Sequence, residues 1–416
     1  MEQIIFYIII AIILFEFSTS RILDYLNTSW RKKELPALLQ NIYKPEEYEK
    51  SQNYGRINSR FSLITSSFQL LIILLMFLFG GFGLLDNYVY QLTDNQILAP
   101  LIFFGILFLA SDILGLPFSI YSTFVIEEKF GFNKTTVKTF IFDKLKSYLL
   151  MAIIGGGLIS AIIWFYYQTT TMFWVYGWLA LSFFSIFMAM FYSNLIVPLF
   201  NKQVPLQDGA LRDAIQEFSS KAGFKLDNVY VIDGSKRSSK ANAYFTGFWK
   251  KKRIVLYDTL IKDMTVDEIV AVLAHEIGHY KLKHTLSSML ISIIQTGIIF
   301  YILSLFIGNP NLSIALGGTR ATFELGLIAF GILFSPISTI LGLIMNMISR
   351  KNEYQADNFA ANYDQSQYLI SALKKLSVNN LTNLTPHPAY VFAYYSHPTL
   401  YQRILAINSN INLKNQ

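Results

Sequence analysis

His275, Glu276 and His279 stand in the order His-Glu-Ile-Gly-His. On a helix, residues four apart share one face a turn apart, so both imidazoles can aim a ring nitrogen at one ion. Zinc takes such nitrogens at about 2.0–2.1 Å in a tetrahedral set. Glu276 follows the first histidine and can reach a water on the metal, which makes it a candidate general base. Two histidines leave the set incomplete, so a third protein ligand is required. Glu353 is the favoured candidate, because Glu353 and Asp357 again lie four apart on one helix face. Asp357 would then accept the free ring N–H of a ligand histidine and fix its tautomer. Glu324 is a weaker third ligand, since it falls at the opposite edge of an apolar segment. The chain has 5 histidines and no cysteine. His275, His279 and His284 crowd into ten positions, and the lack of cysteine excludes thiol nucleophiles, disulfides and thiolate-held zinc.

The motif needs a helix, and one is signalled just upstream. Thr265 and Glu268 have capping-box spacing ahead of an apolar-periodic run through Ile269 and Leu273. Before it, 208–223 reads as an amphipathic helix. Val229 to Asp233 and Ile254 to Tyr257 read as short strands, and the basic turn at 248–253 suggests a hairpin. In this setting the basic turn is a solvated loop rather than a nucleic-acid surface.

The rest of the chain is unusually apolar. Hydrophobic residues make up 53% of its 416 residues and charged ones 15%, with a mean hydropathy of +0.39. Runs of about 20 apolar residues can cross a bilayer. Seven such runs lie near 4–20, 62–84, 98–117, 148–168, 172–196, 286–307 and 325–348. The first lacks a basic flank and a cleavage site, so it reads as a retained anchor. The net charge of +7 sits between these runs. Lysines and arginines fill the first long loop, 118–147, 199–285 and the tail, but are absent from 85–97 and 169–171. That alternation places the N-terminus outside, and 199–285 with the C-terminus in the cytoplasm. Four parts follow: five spans in 1–198, a small α+β catalytic insert in 199–285, two spans in 286–348 and a helical segment in 349–416.

Several separated strings resemble the zinc-dependent CAAX prenyl proteases. They are Leu116 to Glu128 with Gly131 to Asn133, Gly234 to Ser239, Asn242 to Phe245, Lys252 to Leu260, His275 to Thr285, Asn352 to Asp357, and Tyr395 to Pro398 with Arg403. The resemblance implies an all-α polytopic membrane protein whose seven helices enclose a water-filled chamber, with the metal site facing it from the cytoplasmic side. It implies one zinc ion per chain on His275, His279 and Glu353, with Glu276 as base. It implies a substrate cleft bordered by Asn242, Ala243 and Tyr244, and His397 and Arg403 beside it, steadying substrate or oxyanion or bracing the metal site. His284 takes no role beyond helix packing. The expected partners are membrane lipid and a peptide or protein substrate, with a prenylated C-terminus as one form and no nucleic acid; the chain is expected to act as a monomer. The short loop 308–324 and the lack of a C-terminal retention signal favour a bacterial inner membrane over the endoplasmic reticulum. Rival readings are an intramembrane site-2-type protease, a transporter using Asp112, and a zinc-holding sensor without catalysis.

Overall fold

The structure is a computed structural model that describes residues 1–31, 35–40, 42–224, 229–246 and 253–414. Among the described residues, seven helices are long and apolar enough to cross a membrane: Glu2–Ser29, Pro45–Leu78, Leu98–Glu127, Val137–Thr169, Phe173–Phe200, His284–Phe306 and Phe323–Asn362. They coincide with the seven apolar runs but extend past several of them, because the helix continues into polar flanks where the apolar signal stops. The second run is cut short. Its helix ends at Leu78, Gly80 turns left-handed at φ 62°, and a new helix Gly81–Leu92 occupies much of the expected loop 85–97. A left-handed residue just past a helix favours glycine, which has no Cβ to clash.

The spans are packed at their ends and open between. Only 6% to 17% of each apolar window is buried. The seventh span buries residues from Phe323 to Phe334 and again from Glu353 to Ala361, but none between. That gap is about 27 Å of helix at ~1.5 Å per residue. One apolar core gathers around Phe103, Leu312 and Leu325 at the distal end, joined there by a second around Phe173 and Phe323. A separate core at the other end contains Ile254, Leu256, Ile269, Leu273, Ile277, Leu369 and Ile404. Asp112, a possible transport residue by sequence, is instead bound by Lys144 and Tyr148.

The insert is α+β. Strands β1 (Gln203–Pro205), β2 (Val229–Ile232), β3 (Ala243–Thr246) and β4 (Arg253–Tyr257) form one sheet in the order β1-β2-β4-β3. The two strands read from the sequence, β2 and β4, pair in parallel, with Val229 opposite Ile254. The hairpin partner of β4 is β3, antiparallel, with Tyr244 opposite Val255. The stretch 248–252 of the basic turn lies outside the described residues. β3 is therefore an edge strand.

Candidate metal centre

The helix that carries the motif runs Val266–Lys281 and is distinct from the seven spans. It starts as expected: the Thr265 side chain accepts the Glu268 N–H at 3.3 Å, and the Thr265 N–H donates to Glu268 Oε2 at 2.8 Å. Glu268 also accepts from Ser371 Oγ and Lys375 Nζ, both at 2.6 Å, which pins the helix start to helix Ser366–Asn379. The face formed by Ile269, Leu273, Ala274 and Ile277 is fully buried in the insert core. A motif helix outside the spans, packed against helix Ser366–Asn379 and the polar end of the seventh-span helix, separates this chain from the site-2 arrangement.

Gly278 lets this helix approach the seventh span closely. A Cβ there would stand 3.0 Å from Phe359 Cβ and 3.2 Å from Ala356 Cα. The close approach puts Glu353 against both histidines. His275 Nε2 and His279 Nε2 are 3.1 Å apart, Glu353 Oε1 is 3.1 Å from His279 Nε2, and Glu353 Oε2 is 3.4 Å from His275 Nε2. Donors about 2.0–2.1 Å from one tetrahedral ion lie roughly 3.4 Å from each other. Among the described residues these three form the group whose donor atoms could hold a metal. Glu353 is 3% exposed, yet among the described residues its Oε2 has no hydrogen-bond partner. A buried carboxylate oxygen left open beside two ring nitrogens fits a cation.

The neighbours set the charge. Asp357 Oδ1 lies 2.9 Å from His275 Nδ1. Arg403 grips Asp357 with two nitrogens, Nε at 2.8 Å from Oδ2 and Nη2 on Oδ1, and its Nη1 is 3.4 Å from Glu353 Oε2. Burial disfavours charge on His275, but Asp357 and Glu353 outweigh it and push its pKa up to about 9. The pocket therefore attracts positive charge.

Of the other residues picked from the sequence, Glu276 is partly exposed next to His275, close enough to act electrostatically on Arg403. His397 is largely exposed, with Nε2 3.3 Å from Glu353 Oε1 and Nδ1 2.9 Å from Ser396 Oγ. A cavity of about 310 Å³ opens beside His397 and Arg403. Asn242, Ala243 and Tyr244 lie on or next to the edge strand β3. Among the described residues, no hydrogen bond or ion pair ties them to the cluster. Glu324 is fully buried at the far end of the seventh span, about 43 Å from Glu353 along the helix at ~1.5 Å per residue. One contact escaped the sequence reading. His284 is buried with its Nδ1 3.1 Å from His279 Nδ1. Its only sequence signal is the crowding of three histidines.

Comparison with known proteins is consistent along the whole chain. The family model for "CAAX prenyl protease N-terminal, five membrane helices" matches residues 24–202, and that for "Peptidase family M48" matches 205–411. A CAAX prenyl protease 1 homolog of Arabidopsis thaliana is 38% identical over 92% of this chain and 92% of its own. CAAX prenyl protease 1 of Saccharomyces cerevisiae is 35% identical over 90% of this chain and 88% of its own. The crystal structure of S. mikatae Ste24p superposes with a TM-score of 0.92 at 35% identity, covering 97% of this chain and 99% of that one. Seven apolar spans, a peptidase motif on a helix of a small α+β insert, and relatives matched nearly end to end converge: the chain belongs to the CAAX prenyl protease 1 family, and is a multi-pass membrane zinc metalloprotease of peptidase family M48.

Proposed function

We propose that His275, His279 and Glu353 hold the zinc ion and that Glu276 is the general base for peptide-bond hydrolysis. The observation that carries this is the meeting of three side chains from two helices, with ring nitrogens and carboxylate oxygens 3.1–3.4 Å apart. Zinc bound there supplies a water with a pKa near 7 and polarises the scissile carbonyl. Glu276 takes the proton of the attacking water and hands it to the leaving amine. Asp357 accepts the Nδ1–H of His275, which leaves Nε2 free to ligate. Arg403 is committed to Asp357 and buried, so it braces the site. His397 is exposed beside Glu353 and donates to the developing oxyanion. An extended substrate adds to the edge strand at Asn242 to Tyr244, where backbone hydrogen bonds tolerate many sequences.

The substrate class we infer is a peptide or protein with a prenylated C-terminus, as the names of the relatives suggest. The catalytic face is cytoplasmic, on the strength of the lysine and arginine alternation. The deciding experiment uses Glu276→Gln. The variant should retain zinc while cleavage falls by about 10²–10⁴-fold or more; unchanged cleavage would sink the assignment. Matched peptides with and without a farnesyl group test the substrate class, and equal turnover of both removes the prenyl requirement.

A further inference from the structure

His284 stands five residues after His279. On an unbroken helix, five positions turn the side chain about 140° away, and the two rings could not meet. The chain avoids this by breaking. The motif helix ends at Lys281, Lys283 is left-handed at φ 60° and ψ 25°, and the next helix begins at His284. A left-handed lysine costs roughly 1–2 kcal/mol. Local strain of this kind persists where surrounding contacts demand it. Here the contact is between imidazoles: His284 is 6% exposed, its ring centroid is 5.1 Å from that of His279, and the two Nδ1 atoms are 3.1 Å apart. The other ring nitrogen of His284 lies 2.9 Å from Gln355 Oε1.

We propose that His284 is a positioning residue that fixes the tautomer and orientation of His279, as Asp357 does for His275. This rests on the metal-ligand reading given above. His279 turns Nε2 toward Glu353 and His275, so its proton must sit on Nδ1 for Nε2 to ligate. Nδ1–H then donates to His284 Nδ1, which must be bare. The proton of His284 is consequently on Nε2, where Gln355 Oε1 accepts it. One assignment satisfies every atom of the chain Gln355, His284, His279. The two ligand histidines thus have unlike supports. His275 is backed by a carboxylate locked to Arg403, and His279 by a neutral ring.

Zinc affinity, measured by chelator competition on the full-length protein in detergent, tests this without reference to activity. Losing such a partner typically weakens metal binding about 10–100-fold. His284→Ala and His284→Phe should both show that loss; Phe fills the ring's space without a nitrogen. His284→Asn should stay within roughly threefold of the parent, because its Oδ1 replaces Nδ1 as acceptor. A Phe variant that binds zinc as tightly as the parent would reduce His284 to packing and overturn the proposal, as would an Asn variant as weak as Ala. If Ala fails to fold, the contrast between Phe and Asn still decides. Glu353→Ala belongs in the same assay. Zinc retained there overturns the ligand set and this inference together; zinc lost there, with tight binding by Phe, overturns this inference alone.

Discussion

The helix of the seventh span buries acids at both of its ends, and the two ends treat them differently. At the catalytic end, Glu353 and Asp357 are met by His275, His279 and Arg403. At the distal end, Glu324 and Asp86 are fully buried, yet among the described residues both Glu324 oxygens and Asp86 Oδ2 lack a hydrogen-bond partner. Thr322 donates to Asp86 Oδ1 at 3.1 Å, and Arg320, 44% exposed, stands 3.8 Å off. Burial of a carboxylate is thus shared by both ends. Convergence of nitrogen donors on it is what marks one end as a candidate metal centre.

The largest expected effect separates the two glutamates. Glu353→Ala should weaken zinc binding by more than about 100-fold, beyond the loss typical of an outer partner, whereas Glu324→Ala should leave zinc content and cleavage unchanged. Metal analysis of both purified variants checks this, and equal zinc in the two would erase the distinction. Next come the arginines. Arg403→Ala strands Asp357 in the interior and should cost about 3–5 kcal/mol. Arg320→Ala removes an exposed, distant partner and should cost under about 1 kcal/mol. Unfolding in detergent gives both values, and comparable losses would show that the distal pair matters as much as the catalytic one.

A smaller effect concerns the start of the motif helix. Burial raises the pKa of Glu268, but Lys375, Ser371 and the Thr265 N–H outweigh it and leave the carboxyl below its ordinary value. A group depressed on folding stabilises the native state above its unfolded pKa, and that stability is lost as pH falls through the folded one. Glu268→Gln should therefore cost about 1–2 kcal/mol near neutral pH, with the difference from the parent fading below about pH 4.5. A pH series of melting curves reads this directly, and a gap that widens in acid would reverse the sign. The smallest change expected is in Glu324→Gln, within about 1 kcal/mol of the parent on the same melting assay, because among the described residues neither carboxylate oxygen has a partner in good hydrogen-bond geometry.

These contrasts also show what the sequence could and could not convey. Bilayer thickness forces long apolar runs, so the seven spans were readable from hydropathy, while their polar extensions and the break of the second run at Gly80 were not. The Thr265–Glu268 box and the His-Glu-Ile-Gly-His spacing are local, and both took the expected helical form. Features set by distant pairing were not readable. Parallel β2 and β4 depend on a crossover, and strand composition is silent about direction. The grip of Arg403 on Asp357 joins residues 46 apart. The meeting of His284 with His279 depends on a left-handed residue, and nothing marks a lysine as one. Glu324 and Glu353 both flank an apolar run; the i,i+4 partner Asp357 and the opposite span edge already ranked Glu353 first, but the contact of its carboxylate with both histidines needed packing.

The spacing of the site along the chain has a consequence for biosynthesis. Residues that meet at the metal pocket are drawn from His275 through Glu353 to Arg403, a stretch of 128 positions from first to last. Translation at about 5–20 residues per second takes roughly 6–26 s to cross it. At the start of that interval the first histidines already exist, but neither the last span nor Asp357 has been made, and Asp357, once made, waits 46 residues for its arginine. On the proposed ligand set, the newborn chain carries the His-Glu-Ile-Gly-His motif well before its partners, and the cluster is complete only when Arg403 follows the last membrane segment.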